Sequence, residues 1–394
     1  MSISSVIPML TQDESPEFRW LLLCLRARYS QREDARESRH ELQDILQAPF
    51  AWEKMLELAE YHSIRPLIYQ HFYNNAFENV PQHIHETLST FIRHNLVSTT
   101  LLASNLPKVT ELLQSRGVPS LPYKGPVLAS LLYGDSALRE FSDLDILIHH
   151  LDAAPSCQVL LDAGFTETYG ISPSLRGSFL QTATACDFLA PSAVFRVEIH
   201  WKNSGRAVSH FPDDWFWKDS QKVAIGDVTV ETIPLLTHLL LLCIHGSKHG
   251  WSRLGYLCDI AALIQKFPDQ DWTEFWERAR ICGATRMCML AVFLVQGLFG
   301  IVLPDGLKSP GPIPREVPAL AARSILLMHE QAEPGAMYAL QLQDDLFGQL
   351  RFLTRMGFTP GIREYSMMEL PSGLHFLYSG LRMIRMAGMA VRGL

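Results

Sequence analysis

Apolar positions in the first hundred residues recur at helical spacing. Trp20, Leu21, Cys24 and Leu25 form one stripe, Trp52, Met55, Leu56 and Leu58–Ala59 a second, and Ile68 and Phe72 continue a third. Leu96, Leu101, Leu102, Leu106, Val109 and Leu112–Leu113 predict a long helix that tolerates Pro107. It ends at Arg116-Gly117, a basic last turn followed by a terminating glycine. The pattern then changes. Val118–Tyr123 reads as a short extended run, Lys124-Gly125-Pro126 as a turn, and Val127–Tyr133 as a helix that Pro126 can open. Leu144–Ile148 reads as a strand, Leu151–Ala163 as a helix closed by Gly164, and Ala185–Leu189 and Ala193–Trp201 as further strands. From about Phe211 the pattern is mostly helical, with segments at Leu235–His249, Leu257–Phe267, Trp272–Ile281, Met287–Phe299, Ala319–His329 and Leu374–Met386. Gly306–Pro318 holds four prolines and reads as a loop.

These elements predict an α+β fold, in which a small mixed sheet is embedded between an N-terminal helical arm and a larger C-terminal helical region. The expected boundaries are 1–115, 116–210 and 211–394. At roughly 150 residues per domain, 394 residues allow two or three such units.

Composition narrows the class. Apolar residues make up 47% and charged residues 19%, a globular balance that excludes wholesale disorder. The net charge of −7 argues against a general nucleic-acid coat, so any bound polyanion must meet a local basic pocket. DNA is therefore not an expected partner, and RNA is not favoured. Seven cysteines without a C-x-x-C pair fit free buried thiols better than a disulfide framework. Acidic residues precede the first basic one, Arg19, so the N-terminus does not read as a signal peptide. No apolar run reaches the ~20 residues of a membrane span. A cytoplasmic location is the expectation. The last segment, Leu374–Leu394, is different: it carries Arg382, Arg385 and Arg392 and no acid. It predicts a basic amphipathic helix, able to dock on its own chain or to meet a partner or a membrane surface.

The densest chemistry is Phe141-Ser142-Asp143-Leu144-Asp145-Ile146-Leu147-Ile148. On a strand Asp143 and Asp145 share one face and can converge on a hard divalent cation. By itself, such a motif is better explained as a pair of solvated aspartates at a strand end. Val194–Trp201 alternates too, with Arg196, Glu198 and His200 on one face. If that strand neighbours the Asp143 strand, Glu198 becomes a third carboxylate, and three carboxylates can hold the metal ions used in phosphoryl or nucleotidyl transfer. Lys124-Gly125-Pro126, before a predicted helix, and Arg139 are candidate phosphate contacts. His245 and His249 share a helical face, but Gly246 stands where a zinc protease has its glutamate. A packing role is favoured for Trp251, and Lys248 and His249 are candidates to approach phosphate or base.

Taken in order, Lys124-Gly125, Arg139, Ser142-Asp143-Leu144-Asp145, Val197-Glu198-Ile199-His200-Trp201 and His245-Gly246-Ser247-Lys248-His249-Gly250-Trp251, then Asp259, resemble the polymerase-beta-type nucleotidyltransferase superfamily. More narrowly, the chain resembles the bacterial group labelled uncharacterised nucleotidyltransferase, from about Trp52 to Asp259. The resemblance implies Asp143, Asp145 and Glu198 as metal ligands and catalytic carboxylates, with Mg²⁺ or Mn²⁺ as the cofactor. It implies Lys124, Gly125, Arg139 and Ser142, with Lys248 and His249, as the nucleotide and phosphate contacts. Where better-studied members have Gly-Ser at the turn, this chain has Lys124-Gly125-Pro126, so Lys124 stands in for the serine. The expected activity moves an NMP group from an NTP, ATP foremost, to an unidentified small molecule, peptide, protein or RNA end, with pyrophosphate released. A biosynthetic tailoring role is implied by the same resemblance. The competing reading is a catalytically silent nucleotide-binding or scaffold protein.

Overall fold

Ser15 caps the helix Pro16–Tyr29. Its hydroxyl accepts from the Phe18 backbone N–H at 3.3 Å, and Pro16 occupies the first helical position, where a missing N–H costs nothing. In the computed structural model, which describes residues 15–75, 80–202, 211–268 and 270–391, the chain forms two compact units that do not follow chain order. Arg392 lies outside the described residues. The fold class is α+β: many helices and a five-stranded mixed sheet. All seven cysteines are free and buried.

The first unit takes in residues 1–101, 128–141 and 235–344, and among its described residues the regular elements are helices. Its centre is the helix Leu235–Lys248, which is apolar on nearly every side. Leu239, Leu240 and Cys243 are fully buried, because it is covered by Leu254–Lys266, Trp272–Cys282 and Thr285–Phe299. The helix Pro16–Tyr29 packs on Thr285–Phe299 as well as on Trp52–Tyr61, so the N-terminal and later helices share one core. Trp251 is fully buried, as its expected packing role requires, and its indole lies against Gly246. The predicted helix over Val127–Tyr133 is α-helical for Pro126–Leu128 and then widens to a π turn over Ala129–Tyr133, closed by Gly134 at φ +71°.

The second unit takes in residues 102–127, 142–234 and 345–394 and contains both sheets. Its strands are β1 (Ser120–Pro122), β2 (Asp143–Ile148), β3 (Thr166–Glu167), β4 (Ala185–Leu189), β5 (Arg196–His200), β6 (Gln221–Ile225) and β7 (Val228–Thr232). The five-stranded sheet has the order β1-β2-β5-β4-β3, with β2 and β5 parallel and the other pairs antiparallel. β6 and β7 form a separate hairpin. The expectation that the chain is mostly helical from Phe211 missed this hairpin. The signal was Gly226-Asp227 between two alternating runs, and Gly226 takes the positive φ of +58° that a tight turn needs.

Two histidines of the helical unit make stability depend on pH. Burial, with Arg253 nearby, pulls His62 down to about 3. Burial, with Arg39 and Arg28, pulls His71 down to about 4. Both stay neutral in the fold while the unfolded chain takes up protons below about 6.5. Stability present above that pH is therefore lost as pH falls, at about 2 kcal/mol per histidine by pH 5. Urea unfolding at pH 8 and pH 5, for the wild type and for His62→Gln, measures this. The variant should lose clearly less stability between the two pH values, and an equal loss would refute the assignment.

Candidate functional site

Three neighbouring strands each turn an apolar face to the core and carry charged side chains on the other face. Leu144, Ile146 and Ile148 of β2, Val197 and Ile199 of β5, and Cys186 and Phe188 of β4 are buried on the core side. The period of two then places Asp143 and Asp145, Arg196, Glu198 and His200, and Asp187 on the opposite face. Register aligns them. Asp145 pairs with Glu198 on the parallel neighbour, and Glu198 pairs with Asp187 on the next strand. A row of three carboxylates thus crosses β2, β5 and β4. Asp143 lies one pair along, opposite Arg196, and His200 lies one pair along on the other side, opposite Leu147.

Like charges directly across a sheet repel, and two cations answer them. Lys124 follows β1, in the predicted turn. The Tyr123 N–H bonds the Asp145 carbonyl at 3.2 Å, extending the pairing of β1 with β2 by one residue. Gly125 then takes φ +50°, a conformation that favours glycine. This brings the Lys124 ammonium 3.0 Å from Asp145 Oδ1. His200 Nε2 lies 2.9 Å from Asp145 Oδ1 and 3.2 Å from Glu198 Oε2. The Tyr123 ring meets the imidazole edge to face.

The electrostatics follow from these contacts. Burial alone would raise Asp145, but Lys124 and His200 outweigh it and hold this carboxylate well below the usual range. Burial works against the charge on Lys124 and His200, and the carboxylates overcome it. Lys124 is raised, and His200 rises to about 8. Glu198 is lowered: burial opposes its charge, and the His200 hydrogen bond prevails. On Asp143 the pull of Lys124 and His200 is outweighed. Burial, then Asp145 and Glu198, push it up to about 6. Asp187 is also raised, by burial and by Glu198.

Asp145, Glu198 and His200 each offer a ligand atom, and these atoms lie within 4.8 Å of one another. That donor set suits a divalent cation: two hard carboxylate oxygens and one imidazole. The crowded carboxylates on this face also fit the charge of such an ion, which would relieve the repulsion that raises Asp143 and Asp187.

Of the other sequence-predicted residues, Ser142 is exposed just before β2. Arg139, Lys248 and His249 belong to the helical unit. There the Arg139 guanidinium grips Asp259 through Nε at 3.1 Å and Nη2 at 3.0 Å, and the Tyr133 hydroxyl donates to the same carboxylate at 3.0 Å. Lys248 is exposed, and His249 Nδ1 lies 3.7 Å from a Glu333 oxygen. Sequence reading placed His200 on the polar face without giving it a role, and missed Asp187. The alternation of Ala185–Leu189 was the available signal for Asp187, but only the strand order brings it beside Glu198.

A family model described as uncharacterised nucleotidyltransferase matches residues 48–300. No curated protein shows significant similarity to the chain. Among the described residues, no helix is long and apolar enough to cross a membrane.

Proposed function

This chain belongs to the uncharacterised nucleotidyltransferase family, and from that premise we propose that its carboxylate row carries out metal-dependent nucleotidyl transfer from an NTP. The observation that carries the reading is the convergence of Asp145, Glu198 and His200 on one sheet face, with Lys124 beside them. Asp145 and Glu198 hold the cation in this reading, His200 completes or buttresses the set, and Asp143 is the further carboxylate ligand. Magnesium or manganese bound there would offset phosphate charge and make an acceptor oxygen a better nucleophile.

The protein's own groups do the rest. Lys124 keeps Asp145 ionised, and its ammonium has further hydrogens to give a phosphate oxygen. Gly125, with no side chain, lets phosphate approach the backbone of the turn, and Ser142 offers a hydroxyl at the head of β2. Arg139, held by Asp259 through Nε and Nη2, stays a candidate phosphate contact beside that structural role. Lys248 and His249 stay candidates for contact with base or phosphate. The transfer forms a bond from an acceptor oxygen to the α-phosphorus and breaks the bond to the β-phosphate. Pyrophosphate departs with that electron pair, and the acceptor proton passes to a carboxylate of the row.

A thermal-shift series tests binding. With NTP at 100 times its dissociation constant, binding adds about 2.7 kcal/mol, a rise of a few degrees. The rise should need Mg²⁺ and should vanish in an Asp143→Ala, Asp145→Ala protein. Absence of a metal-dependent shift with all common NTPs would sink the reading. Incubation with α-labelled NTPs and cell extract then identifies the acceptor. ATP is the expected donor, and a biosynthetic intermediate the expected class of acceptor.

A further inference from the structure

The chain has a net charge of −7, yet one hollow of the helical unit is lined by two arginines and, among the described residues, no acid. It measures 260 Å³ and opens between the helices Pro16–Tyr29, Arg32–Ile45 and Arg65–Asn75, all within the same compact unit. Arg28, Arg39, His71 and Asn74 form its polar wall, and Leu67 and Ile68 an apolar one. The two guanidiniums reach it from different helices.

Neighbouring residues do not cancel this charge. The helix Arg65–Asn75 contains no acidic residue. On the helix Arg32–Ile45, Asp34, Glu37, Glu41 and Asp44 lie about 140° or more around the axis from Arg39, at about 100° per residue. Glu41 is taken by Arg19 at 3.1 Å, and Glu17 by the Ala51 N–H at 3.0 Å. Among the described residues neither Arg28 nor Arg39 forms an ion pair. Arg28 donates instead to the neutral Gln70 side chain and lies over the Tyr29 ring. These contacts hold its guanidinium in place, so less freedom is lost when a ligand arrives. His71 registers the field: burial, then Arg39 and Arg28, lower it to about 4. The imidazole is therefore neutral at pH 7, with one ring N–H.

We propose that this hollow binds a small phosphomonoester, its phosphate held between Arg28 and Arg39 and its organic part against Leu67 and Ile68. Charge and shape select the ligand. Two fixed positive charges match the charge of about −1.5 to −2 on a phosphomonoester at pH 7, whereas a single carboxylate would neutralise only one. Planar guanidinium forks suit phosphate oxygens. The volume falls just under the ~300 Å³ at which sites for drug-sized ligands begin, so the organic part is small. The proposal does not rest on nucleotidyl transfer: every wall of the hollow lies in the helical unit, and the carboxylate row lies in the other.

Isothermal titration of the full chain with glycerol 3-phosphate in EDTA tests the site. EDTA keeps divalent ions off the carboxylate row. The wild type should bind, less tightly as salt rises, and acetate should bind about tenfold more weakly. Arg39→Gln should lose about tenfold in affinity, and the Arg28→Gln, Arg39→Gln protein about a hundredfold. Their melting temperatures should hold, because Arg28 and Arg39 are exposed. If the double variant melts lower, Arg39→Gln alone decides. The Asp143→Ala, Asp145→Ala protein should bind as the wild type does, so a failure of the nucleotidyl-transfer reading leaves this result standing. A wild type that does not bind would overturn the proposal, as would arginine variants that bind equally or acetate that binds as tightly. So would binding that is lost in Asp143→Ala, Asp145→Ala and kept in the arginine variants.

Discussion

Replacing Asp145 by asparagine is expected to cut nucleotidyl transfer by about a thousandfold or more. Asp145 is the residue on which the site's contacts converge: Lys124 at 3.0 Å, His200 at 2.9 Å and Glu198 directly opposite in register. Asparagine keeps the shape and one oxygen but removes the charge that holds Lys124 and His200 cationic and that a divalent ion would need. Two buried cations would then face a neutral amide, at a stability cost on the order of 3 kcal/mol. Label transfer must therefore be compared below the melting temperature of the variant. A folded Asp145→Asn protein that keeps more than a tenth of wild-type transfer would remove Asp145 from the reaction. Activity lost together with all secondary structure would assign it to folding instead.

Gly246→Ala should be among the most destabilising single changes in the helical unit. A Cβ at this position would lie 2.2 Å from Trp251 Cζ3 and 2.5 Å from Cη2. Neither side can yield cheaply. Gly246 sits inside the helix Leu235–Lys248, and the indole is fully buried. The chain also reverses sharply between them, with Gly250 at φ +61° and Trp251 at φ +56°. Overpacking of this kind costs about 3 kcal/mol or more, although alanine is the better helix former by about 1 kcal/mol. Urea denaturation measures the difference. A variant as stable as the wild type would show that the Trp251 ring can move aside. Glycine at this place in His245-Gly246-Ser247-Lys248-His249-Gly250-Trp251 is thus explained by packing, as is Trp251.

Much of the fold was legible because its signals are local. Helical stripes located Leu235–Lys248 and Trp272–Cys282 to within a residue or two. The alternation of Val194–Trp201 gave β5 and its polar face, and Ala185–Leu189 was read as a strand. The conditional placing of Glu198 beside Asp145 was met by the parallel pairing of β2 and β5. Other features were missed or not legible. The hairpin β6–β7 had its local signal at Gly226-Asp227, but its short runs were read as part of the helical region. Arg139 was read as a phosphate clamp, and its ion pair with Asp259, 120 residues later, was not foreseen. No local pattern carries information across that separation.

The sequence by itself determined which side chains share a face, since a period of two or 3.6 follows from backbone geometry alone. It therefore fixed Asp143 with Asp145, Glu198 with His200, and the glycine turn at Lys124-Gly125. Tertiary structure alone decided that β5 lies between β2 and β4, in the register that lines up Asp145, Glu198 and Asp187. It also decided that Lys124, from the turn after β1, and His200, from β5 itself, both meet Asp145. Strand order and register are set by how whole apolar faces bury one another, and that is a property of distant segments together.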